Sequence, residues 1–330
     1  MKIHIMKFGG SSLGTPEKIK NAAERAADKI RHGIMPVLVV SAPADITDDL
    51  IALGHQTADN MPPREHDALV SCGEQVSAAL TAAAIASCGF PAMSFTGRQA
   101  GIVTDSVYGN AGVLSFSPDQ LAAAVNAGTV PVITGFQGAA ADGSITTLGR
   151  GGSDLTAVMA AKVLNADLCE FYTDVKGIYD AHPGIVPDAA VLPLMSYGEV
   201  IALGEKGTEV RQLRAIRYAM EHNLRLCLRS SFLNNDETGT ILSAEGRKGM
   251  NALSFRKIKI QNPGEDSCVK AEISITGFNM TDEDYALFKK SAAQGGAEKI
   301  YKEEKFFTAL TAENRGEALL KHIHSSILKH

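Results

Sequence analysis

Apolar residues fall along the chain in two rhythms: short runs, and longer segments where they recur every three or four positions. Lys2–Phe8 alternates as a strand. Thr15 as N-cap and Pro16 at the first position then open a helix with Ile19, Ala23, Ala26 and Ile30 on one face. Residues 36–41 form a continuous apolar run, the mark of a strand buried on both faces of a parallel sheet. Strand, helix, strand in that order is a βαβ unit. The same rhythms predict a polar connection over 42–60 leading into a weak helix, a long helix over about 64–87 and a strand at Ala92–Phe95. A Gly-Arg-Gln-Ala-Gly loop, a helix near 118–127 and a buried strand at Val130–Thr134 come next, and Ala141-Asp142-Gly143-Ser144 reads as a hairpin turn. A helix over about 154–164, a strand at 168–172, a long loop through Gly177, Tyr179, Pro183 and Pro187, helices within 198–222 and a strand at 224–230 follow.

The rest of the chain changes character. Two strand–helix pairs are expected, 270–278 with 284–293 and 299–311 with 317–328, after a stretch from Leu242 to Asn251 rich in Ser, Gly and charge. This places one domain at 1–245 and a second, smaller α+β domain at 251–330.

Composition narrows the function classes. Of the 330 residues, 45% are hydrophobic and 21% charged, ordinary for a globular protein, and the net charge of −5 with no basic run argues against nucleic acid as a partner. The five cysteines are odd in number and never form a CxxC pair, which favours reduced thiols over disulfides or zinc and leads us to expect a cytoplasmic protein. No signal-peptide pattern and no membrane-length apolar run are read from the sequence, so no membrane partner is expected.

Two stretches carry candidate chemistry. Residues 145–157 read as a β-branched strand, three glycines around Arg150, and a helix opened by Ser153 or Asp154 as cap. This is either an ordinary Gly-rich turn or an anion site, in which backbone N–H groups, the helix dipole and a planar guanidinium converge. Lys7, at the C-terminal end of the first strand beside Gly9-Gly10, either snorkels at the sheet edge or faces a ligand where open α/β sheets bind one. Gly9-Gly10 with Gly14 matches neither GxGxxG nor the P-loop pattern. Glu74, beside Gly73, is a helical glutamate of the kind that usually faces solvent. His182 is read as a loop residue, and His322 and His324 as surface residues.

Several blocks nevertheless occur together and in order: Lys7-Phe-Gly-Gly-Ser-Ser-Leu-Gly, Ser41-Ala42, Ser71-Cys-Gly-Glu74, Thr96 to Asp105, Gly135-Phe-Gln-Gly138, Thr146-Thr-Leu-Gly-Arg-Gly-Gly-Ser-Asp154, Tyr172 to Tyr179 and Arg229-Ser-Ser-Phe232. In these the chain resembles the aspartate kinases over residues 1 to about 242. The resemblance implies an amino-acid-kinase fold, a mainly parallel sheet sandwiched by helices, with a shortened ACT-like C-terminal domain. It also implies ATP-dependent phosphorylation of the L-aspartate β-carboxylate, with Mg²⁺, toward lysine, threonine and methionine, in a homodimer. Residue by residue it implies catalytic roles for Lys7 and Asp154. Substrate contacts fall to Ser41, Ala42, Thr47, Glu74, Arg150 and Ser153, with Glu74 on the α-ammonium and Arg150 on the α-carboxylate. Nucleotide contacts fall to Lys7, Gly9, Gly10, Thr173, Asp174 and Tyr179.

Two departures stand out. The family's Asp-Pro-Arg reads His182-Pro183-Gly184 here, and its Gly-Ala-Lys-Val reads Gly207-Thr208-Glu209-Val210. A carboxylate thus replaces a phosphate-binding lysine. Lys206 or Arg211 is expected to reach the phosphates instead, with Arg214 also near in sequence, and Lys206 and Glu209 are expected on one helical face. The alternatives are that Glu209 helps hold a metal or that the chain is a weakened, ligand-binding paralogue; a kinase for another acidic amino acid is a further reading. In the tail, Asn262-Pro263-Gly264 resembles an effector loop, the other reading being an oligomerisation module without effector.

Overall fold

The first strand, β1 (Lys2–Phe8), lies inside a parallel sheet because it pairs on both sides, with β2 (Ile34–Val40) and with β9 (Leu168–Thr173). The structure, a computed structural model, describes residues 1–208, 213–232, 239–260 and 268–328. The chain divides into two units, 1–176 with 218–238, and 177–217 with 239–330.

In the first unit six parallel strands run in the order Leu226–Ser230, β9, β1, β2, β6 (Val130–Thr134), β3 (Ala92–Phe95). Most residues of β2 and all of β6 are buried, as continuous apolar runs in a parallel sheet require. The helix α1 (Pro16–Arg31) begins as its sequence predicts, with the Thr15 hydroxyl accepting from Lys18 N and Pro16 in the first turn. It packs with α4 (Cys72–Ser87). The helix α7 (Gly152–Val163) packs on β1 and β9. Chain order departs from β1 in both directions, to β2 on one side and later to β9 on the other. A reversal of this kind opens a crevice at the strands' C-terminal ends.

A second, four-stranded sheet belongs to the same unit, in the order β5 (Val113–Phe116), β4 (Ile102–Thr104), β7 (Gln137–Ala139), β8 (Ile145–Thr147). The hairpin expected at 141–144 joins β7 to β8, with Gly143 at φ +85°. The expected Gly-Arg-Gln-Ala loop is a helical turn, α5 (Gly97–Ala100), closed by a Thr96/Gln99 capping box.

The expected single helix over 64–87 is two, α3 (Pro63–Val70) and α4, with Ser71 between them. The stretch 63–87 is nonetheless long and apolar enough to cross a membrane, contrary to the sequence reading. Half of it is buried within the unit, and its inner face carries Glu74, Ser77 and Thr81. Its two helices pack against the strands and α1 of the first unit.

On the α1 side of the sheet, fully buried Glu170 meets Lys29 at 2.9 Å, Arg229 at 2.8 Å and the His4 ring at 3.2 Å. Burial alone raises the pKa of such a carboxyl, but the hydrogen bond with His4 and the charges of Lys29 and Arg229 prevail and hold it at about 2. A carboxylate with a depressed pKa stabilises the fold above its ordinary value near 4.5 and loses that contribution as pH falls toward about 2. We expect the urea midpoint to drop steeply across that window, the Glu170 share being on the order of 3 kcal/mol. Glu170→Gln should flatten the slope; an unchanged slope would mean the cluster does not couple to folding.

The second unit contains a parallel pair, Leu194–Ser196 with Thr240–Ser243, and a helix Tyr197–Glu205 capped by a Ser196/Glu199 box. Its antiparallel sheet runs Gly249–Ile260, Cys268–Phe278, Phe307–Ala312, Lys299–Lys302, covered by helices Asp282–Gln294 and Gly316–Ile323. Ile273, Ile275, Phe288, Phe307, Leu320 and Ile323 form its core. The sequence reading missed Gly249–Ile260, whose polar flanks hid a strand, and merged Lys299–Lys302 with Phe307–Ala312 into one.

Two further expectations are corrected in this unit. His324 is buried rather than on the surface, with Nε2 3.2 Å from Asp180. Lys206 is not a free cation: it is buried, 2.6 Å from Glu303 and 3.6 Å from Glu272, with its ammonium over the Phe306 ring. It is also the C-cap of its helix, which ends at Glu205. Glu209, Arg211 and Asn262-Pro263-Gly264 lie outside the described residues.

Candidate functional site

The C-terminal ends of the parallel strands continue into loops fastened to one another through the backbone. Ser41 N donates to Phe8 O, Gly135 N to Val40 O and Ala44 N to Gly10 O. Glycine at position 10 is imposed by this approach, since a Cβ there would stand 2.8 Å from Ala42 O. At Gly135 a Cβ would meet the Ser153 Cβ at 2.6 Å, so the glycine lets the first turn of α7 close on the end of β6. Phe136 beside it has φ +69°, a conformation rare for a bulky residue that concentrates at functional sites.

Lys7 is buried, and its ammonium lies 2.6 Å from Asp154 Oδ1. That oxygen has no aligned hydrogen bond, so charge rather than directional bonding holds the pair. A Cβ on Gly9 would come within 3.8 Å of the same ammonium, which places the Gly9 backbone beside it. The expected capping of α7 by Ser153 or Asp154 does not occur. The helix begins at Gly152 with Gly151 at φ +73° as its N-cap residue, and Asp154 is turned to Lys7.

Glu74 contradicts the usual place of a helical glutamate: it is buried, with Oε1 accepting from Ala42 N at 3.0 Å. Gly73 makes this possible, because its missing Cβ would lie 2.6 Å from that of Ala42. The other oxygen, Oε2, is buried with no hydrogen-bond partner. Burial pushes the carboxyl up to about 7, against the opposing effects of the Ala42 N–H and the Lys7 charge. A buried acceptor left empty costs free energy unless a ligand supplies the donor. Arg150, between Gly149 and Gly151, is exposed and makes no ion pair among the described residues.

The remaining expected site residues are placed as follows. Thr173 is part-buried at the end of β9, where its carbonyl accepts from Ser231 Oγ, while Asp174 is exposed. Ser231 and Ser12 share a hydroxyl–hydroxyl contact of 2.8 Å, which ties the turn after Gly9-Gly10 to the end of the strand Leu226–Ser230. Ser41 is half-buried and Thr47 lies half-buried in the first turn of α2 (Ile46–Thr57). Tyr179 belongs to the second unit, where it pairs with Val191. Lys7 with Asp154, Glu74 with Ala42, and Ser153 with Gly135 are therefore brought together.

Sequence reasoning gave no role to Asp67. It is wholly buried and accepts from Thr147 N at 2.7 Å, Thr147 Oγ1 at 3.0 Å and Gly109 N at 2.9 Å. A lone aspartate on the inner side of α3, seven residues before Glu74, was the available signal. Among the described residues no group of three or more His, Cys, Asp and Glu could hold a metal. That donor set suits a cation of the Mg²⁺ type only as one carried in with phosphate oxygens, which is how such ions are commonly bound.

The amino acid kinase family model matches residues 2–230. The aspartokinase of Mycolicibacterium smegmatis is 44% identical over 243 residues, which are 73% of this chain and 57% of that protein. The chain thus spans under three fifths of that relative's length. Among solved structures, E. coli aspartokinase III in complex with lysine and aspartate (T-state) superposes with a TM-score of 0.83 at 19% identity, covering 98% of this chain and 99% of that one, a likeness of fold. Aspartate kinase from Synechocystis gives 0.66 at 27% identity, over 98% and 69%.

Proposed function

The chain belongs to the amino acid kinase family, and we propose that it transfers the γ-phosphoryl group of ATP to the β-carboxylate of L-aspartate, giving 4-phospho-L-aspartate and ADP. The observation that carries this reading is the buried, half-unpaired carboxylate of Glu74, in the same glycine-built crevice as the Lys7–Asp154 pair. An ammonium is the donor that an empty buried carboxylate oxygen favours most, and a free amino acid carries one.

The chemistry needs no general base. The attacking carboxylate is ionised at neutral pH, as an unperturbed side-chain carboxyl titrates near ~3.9. Its oxygen forms the new bond to the γ-phosphorus, and the β–γ bridging oxygen leaves with the electron pair on ADP. The barrier is the meeting of two anions, so positioned cations and N–H donors do the work. Lys7 supplies the cation, Gly9 and Gly10 offer N–H groups, and Asp154 holds the lysine in place. A Mg²⁺ ion arriving with the nucleotide would supply further charge neutralisation. Glu74 takes the α-ammonium and Arg150 the α-carboxylate, with Ser41, Ala42, Thr47 and Ser153 around them. Thr173, Asp174 and Tyr179 serve the nucleotide.

On this reading residues 1–245 are the catalytic domain and 251–330 a reduced ACT-like module in a cytoplasmic homodimer, and the product feeds lysine, threonine and methionine synthesis. Because Lys206 is committed to Glu303 and Glu272, this reading leaves Lys7 to offset the phosphate charge, with Arg211 the other cation expected from the sequence.

The test is direct measurement of ADP release with and without L-aspartate, beside Arg150→Ala. The variant should weaken aspartate binding by about tenfold or more, the lower end expected for a charge partner that is exposed when free. Nucleotide affinity should stay within about twofold. Unchanged aspartate affinity would remove Arg150 from the pocket, and ADP release indifferent to L-aspartate would sink the reading.

A further inference from the structure

Asp67 joins the two parts of the chain that carry the groups assigned to the ends of the amino acid. Its helix, α3, is separated from Glu74's helix, α4, by Ser71 alone. The Ser71 N–H donates to the Asp67 carbonyl, and the Ser71 carbonyl accepts from Gln137 Nε2 in β7 at 3.0 Å. The Asp67 carboxylate takes both the N–H and the hydroxyl of Thr147, the last residue of β8, three positions before Arg150. It also takes Gly109 N, and the loop around Gly109 lies against Gly149, whose Cβ would meet Asn110 Oδ1 at 2.6 Å. Thr147 O in turn accepts from Ala111 N at 2.8 Å. One buried carboxylate therefore accepts from three donors on two segments, with no lone pair directed at solvent. Such a group fixes distances, because moving either segment strands a buried charge.

We propose that Asp67 is a positioning residue that sets the spacing between Glu74 and Arg150, so that the α-ammonium and the α-carboxylate of one substrate are gripped at once. The inference rests on the aspartate reading of the site. Simultaneous grip makes the two contacts worth more together than apart, and a displacement of about 1 Å is enough to lose up to a hundredfold. Asp67→Ala leaves Thr147 N and Gly109 N without their acceptor, whereas an asparagine would keep both on its amide oxygen and donate to the Thr147 hydroxyl. The milder Thr147→Val removes only the hydroxyl, and Thr147→Ser restores it.

The experiment measures binding of three ligands by calorimetry in the presence of a non-hydrolysable ATP analogue: L-aspartate, succinate, which lacks the ammonium, and β-alanine, which lacks the α-carboxylate. In Asp67→Ala the L-aspartate affinity should fall by about tenfold or more, while the two analogues, each held at one end, change by less than about threefold. Thr147→Val should move in the same direction by a smaller factor, with Thr147→Ser like the parent protein. Equal loss for all three ligands, or loss of nucleotide affinity in step, would mean a general structural role and overturn the proposal. If Asp67→Ala does not fold, the Thr147 pair decides on the same criterion. A parent protein that binds nucleotide but not L-aspartate overturns the reading of the site itself, and the inference with it.

Discussion

Replacing Lys7 by methionine should lower kcat for aspartate-dependent ADP release by about a hundredfold to a thousandfold, the loss typical when one preorganised group that stabilises developing charge is removed. Methionine keeps much of the length and the packing in a site that is nearly closed to solvent. Its effect goes beyond the missing cation, because Asp154 is itself buried and loses its ion-pair partner. An uncompensated carboxylate beside a polyphosphate repels it. The double variant Lys7→Met with Asp154→Asn should therefore recover part of the nucleotide affinity lost in the single one, though not the turnover. A kcat within tenfold of the parent protein in Lys7→Met would place the phosphoryl-stabilising charge elsewhere. Failure of the double variant to bind nucleotide better would separate Asp154 from the lysine.

L-Aspartate should bind with release of a proton, and its affinity should rise by about tenfold between pH 6 and pH 8, following the ionised fraction of a group titrating near 7. In the free chain Glu74 is raised to about 7 because burial opposes its charge. An incoming ammonium reverses that balance and favours the carboxylate, so below about pH 7 binding must expel the proton. The sign is the opposite of the Glu170 case. A carboxyl raised above its unfolded value weakens the ligand-free fold as pH climbs from about 4.5 through 7, so ligand and stability are linked at this one residue. Glu74→Gln should weaken L-aspartate by about thirtyfold or more, the cost of removing a buried charge partner, and should erase the pH dependence in this window. Calorimetry in two buffers of different ionisation enthalpy reads the proton directly. Proton uptake, or a pH slope that survives in Glu74→Gln, would assign the ammonium to another group.

The parts of the fold that the sequence rendered legible share one property: their signal is local. The Thr15-Pro16 helix start, the buried runs at β2 and β6, and the Asp-Gly hairpin between β7 and β8 each depend on neighbours a few residues away. Lys7 was conspicuous for the same reason, as a cation at the end of a strand beside two glycines. Where signals are weak or shared between elements, reading by pattern failed. The strand Gly249–Ile260 carries Arg256, Lys257 and Lys259, and its start fell within the stretch to Asn251 that read as a domain boundary. The stretch 63–87 read as one helix although Ser71 divides it.

What the sequence determined by itself is the opening strand–helix–strand unit, the buried runs of the parallel sheet, the glycine-rich turns and the motif blocks that mark the family. Burial and pairing were decided only by the tertiary structure, because they depend on residues distant in the chain. Glu74 is indistinguishable in sequence from a solvated glutamate until Gly73 lets Ala42 close over it. Lys206 reads as a free cation next to a phosphate motif until residues 272 and 303 arrive to claim its charge. Asp67 reads as an ordinary helical aspartate until Thr147, eighty positions later, brings two donors to it. A charge's partner is a property of the folded space around it, and local sequence carries no record of that space.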